Sequence, residues 1–496
     1  MSKHCLSKFH LALFIFLLLS LAGNVLADIH SQNKTPERAL DEAINKIRLK
    51  QNVAAAAYII VSKNRVLHSA AFGISNRETQ QAVNLDTVFR IGSITKSFTS
   101  LALLKLQEQG KLSLEDKLKH LVSDAPLNNP WHKTHPVSIA QLLEHTAGLS
   151  DLTKEEFDYV GPKTFNKTGA EQQKTLSLRQ GLYFNAQARK SLWPPGLHKS
   201  YSNAGAGYAA FILEKITGET YESYVQKHLF KPLLMKHASF TLNEDTKQHL
   251  ATGYDTDGDT VIPYWHMIMR PFGAINTTPN EMSHFVQMLL NDGKFQEKTI
   301  FQKNSIKRME TPHTTLAASI DLFFGYGLGS DQHIHNGFVF YGHSGDADGY
   351  LARFAYNRDT GKGYFLVINA YNYRAINSIE TQIEDYITSG HKKPTLPLEA
   401  KIKLSDLKRY TGKYQAVTHR FPWKTSAQKL QNKLEITLKN NTLQIKMPEH
   451  IPRKLIAVKS SHFRYRNEPV ATMAFIEYMG KMYFQGEAGS YVKLEK

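Results

Sequence analysis

The stretch Phe89-Arg90-Ile91-Gly92-Ser93-Ile94-Thr95-Lys96-Ser97-Phe98 decides how the rest of the chain is read. After it, residues 97–109 carry a helical pattern with Phe98, Leu101, Leu104 and Leu106 among the apolar positions and Gly110 as a stop. This predicts an amphipathic helix. If that helix begins inside the quoted stretch, Ser93 and Lys96 share a face one turn apart. A serine hydroxyl is a poor nucleophile at neutral pH and needs a base beside it. A lysine desolvated next to other donors can serve or assist. The free N–H groups of a helix start favour developing negative charge. Taken alone, the pair fits the start of a surface helix better.

Two further segments change that balance. Pro195-Gly196 precedes Tyr201-Ser202-Asn203. A tyrosine beside a lysine ammonium has its phenolate stabilised and can shuttle a proton, while Asn203 offers a donor and an acceptor to a substrate amide. The bland alternative is a core tyrosine in a turn. The third segment is Gly342-His343-Ser344-Gly345-Asp346-Ala347-Asp348-Gly349-Tyr350. Its glycines allow backbone to approach closely. On an edge strand, an exposed N–H there would complete an oxyanion hole with the amide of Ser93; otherwise the segment is a glycine-rich hairpin.

Together, Ser93–Lys96, Tyr201–Asn203 and His343–Gly345 resemble the serine β-lactamase and penicillin-binding protein family, in the family's order. The match is best to the class C β-lactamase, D-aminopeptidase and esterase branch. The flanking segments 108–116, 142–149 and 272–277 are similar too, and the resemblance covers about residues 36–385. It implies an α+β fold, an antiparallel sheet flanked by helices. It implies that Ser93 forms an acyl-enzyme, that Lys96 and Tyr201 handle its proton, that Asn203, His343 and Gly345 contact substrate, and that the amides of Ser93 and Asp346 hold the oxyanion. It implies a structural rather than catalytic His145. No cofactor or metal is called for. Asp255-Thr256-Asp257-Gly258-Asp259 hints at calcium, but its glycine is misplaced for an EF-hand and no glutamate closes the loop, so it reads as a polar turn.

Two departures bear on substrate. His343 stands where β-lactamases and carboxypeptidases carry lysine, and Asp346 where small residues are usual. A histidine is mostly neutral at pH 7, and Asp346 and Asp348 add negative charge. The expectation is weak action on carboxylate-bearing substrates and a preference for neutral esters or substrates with a free amino group. An esterase or peptidase acting on small molecules or peptides, including those with D-amino acids, is therefore the first reading. A β-lactamase or D-Ala-D-Ala carboxypeptidase is the second, and a non-catalytic binding or scaffold protein the third. The sequence leaves the oligomeric state open.

The chain has 496 residues, 42% of them hydrophobic, enough for more than one domain. Lys3 and Lys8 precede an apolar run at residues 11–22, too short to span a bilayer comfortably, and Val25-Leu26-Ala27 ends in a small residue. Residues 1–27 thus read as a signal peptide, which places the protein in the periplasm or outside the cell. The mature chain then has no transmembrane segment. The single cysteine, Cys5, precedes the apolar run, so disulfides and thiolate sites are excluded downstream. The net charge of +17 would suggest nucleic acid inside a cell. Export argues against that and leaves cell wall, membrane or another anionic surface, or simple solubility.

The catalytic region is expected over 28–390. A basic, proline-containing linker follows at 391–399. Residues 400–496 then alternate with period two: Leu434, Ile436 and Leu438, a turn at Asn440-Asn441, then Leu443, Ile445 and Met447. Tyr410 to Tyr414 and residues 473–494 continue the pattern. A small antiparallel barrel is predicted, resembling the lipocalin-like domains that accompany some members of the family.

Overall fold

The computed structural model describes residues 35–156, 175–424, 433–486 and 489–495. The predicted signal peptide, Cys5 included, lies outside them. Among the described residues no helix is long and apolar enough to cross a membrane.

Strands β1 (Ala55–Ser62), β2 (Val66–Asn76), β3 (Gln81–Ala82), β4 (Asp331–His335), β5 (Phe338–Ala347), β6 (Tyr350–Asn357) and β7 (Lys362–Ile368) form an antiparallel sheet in the order β4-β5-β6-β7-β1-β2-β3. The apolar run in β1 fits its central position. Ala55, Ala57, Ile59 and Val61 enter one core, while Ala56, Tyr58 and Ile60 enter the other. Helices α1 (Pro36–Lys50) and α5 (Tyr373–Thr388) pack together against one face. Between β3 and β4 the chain leaves the sheet and builds a helical layer from α2 (Thr95–Glu108), α3 (Asn203–Thr217) and α4 (Pro279–Leu290), with α2 against α3 and α4 on the sheet. This is the α+β arrangement expected.

Helix α2 is buried all round rather than amphipathic. Residues 87–104 are buried with one exception, the half-buried Ser93. The polar positions of α2 are buried on bonds of their own: Ser97 Oγ donates to Gly329 O (2.5 Å), and Thr99 Oγ1 donates to Pro271 O (2.8 Å). A helix enclosed on every side sits at the centre of a large domain. Helix α4 starts on a side-chain cap, with the Thr278 hydroxyl accepting from Glu281 N (3.2 Å) and proline at the first position. The Glu281 carboxylate, however, accepts from the Thr277 hydroxyl (2.6 Å) and His237 N (2.5 Å).

Residues 391–403 have no regular structure, and Leu398 is 91% exposed. Nine antiparallel strands over 412–493 then form a nearly closed barrel. The predicted hairpin is present as Lys433–Lys439 against Thr442–Lys446, with Asn440 (φ +50) and Asn441 (φ +58) supplying the left-handed turn. Met447 falls just outside it. One expectation fails here: Tyr410 ends a short helix, Leu404–Tyr410, and the strand begins at Gly412. That helix closes the barrel interior, where Tyr410 stacks on Phe475 (4.4 Å) among Tyr414, Phe463 and Phe484. The interior is packed with side chains.

The barrel docks on the first region through an apolar cluster of Leu197, Leu316, Ala317 and Leu322 with Ala474 and Ile476. Beside it the buried Gln485 accepts from Ala317 N (2.8 Å) and donates to Leu197 O (2.8 Å).

Candidate active site

Ser93 lies in a single 3-10 turn, Gly92–Ile94, that runs into α2. The hydroxyl of Thr95 ties this turn down, donating to Gly92 O (2.8 Å) and accepting from Ile275 N (3.1 Å). The helical spacing read from sequence holds. Lys96 Nζ lies 3.1 Å from Ser93 Oγ. It also donates to Asn203 Oδ1 and to Phe272 O, both at 2.7 Å. Lys96 is buried, and desolvation holds its pKa well below the ordinary lysine value, with Arg420 pushing the same way and Asp151 and Asp346 opposing.

Tyr201 lies against Lys96, whose Nζ is 4.8 Å from the ring centroid. Burial raises the Tyr201 pKa, and a hydrogen bond with Ser93 and the cation of Arg420 pull it back. Asn203 opens α3. Its Oδ1 accepts from Lys96, which leaves its NH₂ donors for a substrate.

The third segment is less of an edge than the sequence suggested. Strand β5 has a neighbour on each side, but β4 pairs with it only as far as Asp331 opposite Gly342. Residues 343–347 run past the end of β4 and are free on that side. Here β5 meets the Ser93 turn. A Cβ on Gly345 would lie 1.8 Å from Ile91 O, and one on Gly92 (φ +53) would lie 2.5 Å from Asp346 N. Two glycines thus bring the Asp346 amide beside the Ser93 turn, an approach no larger residue permits.

His343 is buried and neutral. Its Nδ1 donates to Ser344 O (2.5 Å), so Nε2 accepts from Tyr326 OH (2.7 Å). Burial and nearby Lys96 depress its pKa to about 4. His145 is buried at φ +60, and its Nδ1 accepts from Ser202 N (3.2 Å), which fixes the chain entering Asn203. Its ring rests on Tyr201 at 4.2 Å. This geometry makes it a support. The calcium-like segment is a turn whose Asp257 carboxylate accepts from Asp259 N and Thr260 N, both at 2.9 Å.

The electrostatic expectation needs correction. The exposed Asp346 does not stand alone: its carboxylate accepts from Tyr373 OH (2.8 Å) and lies 3.5 Å from Arg353. The cleft of about 600 Å³ that Ser93 opens into is lined by cations, Lys199, Arg353 and Arg420, as well as by Asp331, Asp346, Glu380 and Glu384. Sequence reasoning counted the acids near His343 and not the cations: Arg353 on the next strand, and Lys199 and Arg420 from distant parts of the chain. It also missed Phe272 O, Asp151 and Tyr326. Of these, only Phe272 lay in a segment already singled out.

The sequence pattern of the beta-lactamase family matches residues 37–380. Protein flp of Staphylococcus aureus (strain MRSA252) is 26% identical over 71% of this chain and 67% of its own length. Two solved structures share the fold. The octameric penicillin-binding protein homologue from Pyrococcus abyssi superposes with a TM-score of 0.61 at 21% identity, over 92% of this chain and 99% of its own. The D-amino acid amidase from Ochrobactrum anthropi SV3 gives 0.57 at 19% identity, over 71% and 100%.

Proposed function

Since the chain belongs to the beta-lactamase family, we propose that it is an exported serine hydrolase that cleaves an ester or amide, including amides of D-amino acids, through an acyl-enzyme on Ser93. The contact between Lys96 and Ser93 carries this reading. A neutral lysine has two N–H groups and one lone pair. Asn203 Oδ1 and Phe272 O take the two N–H groups, so the lone pair faces the Ser93 hydroxyl. Burial of Lys96 lowers its pKa, in the direction of the neutral form.

In the first step Ser93 Oγ bonds to the substrate carbonyl carbon and its proton passes to Lys96. The tetrahedral oxyanion sits between the amides of Ser93 and Asp346. Collapse breaks the bond to the leaving alcohol or amine, which takes the proton by way of Lys96 and Tyr201. Water then attacks the acyl carbon, Ser93 leaves with a proton, and an acid is released.

A D-aminoacyl substrate is supported by the likeness to the D-amino acid amidase fold and by Asp331 in the cleft, which suits an ammonium group. Lys199 and Arg420 in the same cleft favour a second reading, action on carboxylate-bearing β-lactams or D-Ala-D-Ala termini.

The test is a fluorophosphonate probe on the purified protein, with the adduct mapped by mass spectrometry. It is run beside turnover of a p-nitrophenyl ester, a D-alanyl anilide and nitrocefin. A label on Ser93, lost in Ser93→Ala, is expected. Labelling elsewhere, or full turnover by the alanine variant, overturns the assignment. Nitrocefin hydrolysis outrunning both other substrates replaces the first reading by the second.

A further inference from the structure

The walls of the Ser93 cleft are not all supplied by the family-matched region. Arg420 follows the first barrel strand, Gly412–Ala416, yet it lines the cleft. Its place is fixed from several sides. Its Nε donates to Asp151 Oδ2 (2.6 Å), and its carbonyl accepts from Asp151 N (2.9 Å). Its guanidinium carbon stands 4.5 Å from the centre of the Tyr201 ring. Flanking residues tether the same loop: Thr418 Oγ1 donates to Lys199 O (3.2 Å), and Trp423 Nε1 donates to Leu152 O (3.0 Å).

Asp151 is what makes this contact consequential. Its side chain is wholly buried. Oδ1 accepts from Asn203 N (3.0 Å), the first residue of α3, and from Leu152 N (2.8 Å). Asn203 Oδ1 in turn accepts from Lys96. A continuous path of bonds therefore runs from the barrel loop through Arg420, Asp151 and Asn203 to Lys96. A second contact runs from Arg420 directly to the face of Tyr201.

We propose that Arg420 is a positioning residue for the reaction at Ser93: the barrel delivers a guanidinium that clamps Asp151 and Tyr201, and the proton path is complete only with the barrel docked. A chain ending before residue 400 would keep Ser93, Lys96, Tyr201 and Asn203. It would also leave Asp151 without the ion pair it has here. Buried carboxylates hold together when paired and misplace their surroundings when not. The inference rests on the serine-hydrolase reading above.

The charge of Arg420 gives the role a signature that packing alone would not. The charged or titratable groups that face Tyr201 are Lys96, His145, Lys199, Tyr326, His343, Asp151, Asp346 and Arg420. Among them Arg420 favours the deprotonated forms of both Lys96 and Tyr201. Removing its charge raises both pKa values. The acid limb of the kcat profile, where the base loses its proton, then moves to higher pH.

The experiment uses the full chain and the p-nitrophenyl ester, with probe labelling of the wild-type protein at Ser93 as the first arm. No labelling at Ser93 defeats the underlying reading, and this inference with it. Given labelling, Arg420→Ala should lower kcat by about 100-fold, the scale of a 1 Å misplacement at a reacting group. KM should change less than threefold, and the acid limb should shift upward. Arg420→Lys should return the limb to its wild-type position and recover most of kcat. Asp151→Asn added to Arg420→Ala should cost little more, because the two act as one unit. If the alanine variant does not fold, Arg420→Gln, which keeps a polar side chain without the charge, is read against Arg420→Lys in the same way. Wild-type kcat and pH limb in the uncharged variant overturn the proposal. So does a loss of kcat with an unmoved limb that lysine does not repair.

Discussion

Gly345→Ala isolates the step in which backbone geometry, not side-chain chemistry, builds the site. The added Cβ would lie 1.8 Å from Ile91 O and 2.8 Å from Ile91 C. An ordinary carbon–oxygen contact is about 3.3 Å, so β5 and the Ser93 turn must part by roughly 1.5 Å. That gap opens between the amides of Ser93 and Asp346. Loss of one oxyanion donor costs about 3–4 kcal/mol of transition-state stabilisation, or roughly 100- to 1000-fold in kcat. Overpacking of this kind costs about 1–3 kcal/mol of stability, so the protein should remain folded. Gly361→Ala is the control. Gly361 has φ +65 and nothing within 4 Å of its added Cβ, so it suffers about 1–2 kcal/mol of backbone strain and keeps its activity. Thermal melting and ester turnover are measured for both variants. If Gly345→Ala stays within threefold of wild-type kcat while its melting point falls like that of the control, the oxyanion assignment is wrong.

Three further outcomes follow from the same geometry. Lys96→Ala and Tyr201→Phe should each lower kcat by roughly 100- to 10,000-fold with little change in KM. The double variant should be no worse than about tenfold below the poorer single one, since both serve the Ser93 proton; multiplicative losses in steady-state kinetics would refute a shared path. Gln485→Leu should cost about 2–5 kcal/mol in urea melts, because Ala317 N and Leu197 O lose their buried partners; a change under 1 kcal/mol would show that the barrel docks through its apolar cluster alone. His343 and His198 are both buried and held neutral, each with a pKa depressed to about 4. The unfolded chain therefore binds more protons than the folded one between about pH 6.5 and pH 4. Stability is complete above pH 6.5 and falls as the pH drops toward 4, by about 3 kcal/mol for each histidine. Other buried histidines, His145 among them, add to the same loss, so His198→Gln should remove only its own share, about 3 kcal/mol; an unchanged difference between urea melts at pH 4.5 and 7 would argue against it.

The helical spacing of Ser93 and Lys96 and the Asn440-Asn441 turn were legible because each depends on neighbours in sequence. Periodicity and φ preference act over a few residues, and composition reports them directly. The amphipathic reading of α2 failed for the opposite reason. Ser97 and Thr99 look solvent-facing in a local window, and only the enclosing chain at Gly329 and Pro271 supplies acceptors that let them be buried. Tyr410 was read as strand because the short helix Leu404–Tyr410 is held by the barrel interior it covers.

By itself the sequence determined the order of the three motifs, the α+β region followed by a β-rich one, and the candidate groups Ser93, Lys96, Tyr201 and Asn203. These rest on residue types at short spacing. Tertiary structure alone decided which strangers meet them. Phe272 O and Asn203 Oδ1 orient the Lys96 amine from 176 and 107 residues away. Tyr373 bonds Asp346 from 27 residues away, and Arg420 reaches Asp151 and Tyr201 from the barrel, 269 residues beyond Asp151. Coulomb energy and hydrogen bonding depend on distance in space and on burial, and neither is encoded in the interval between two residues along the chain.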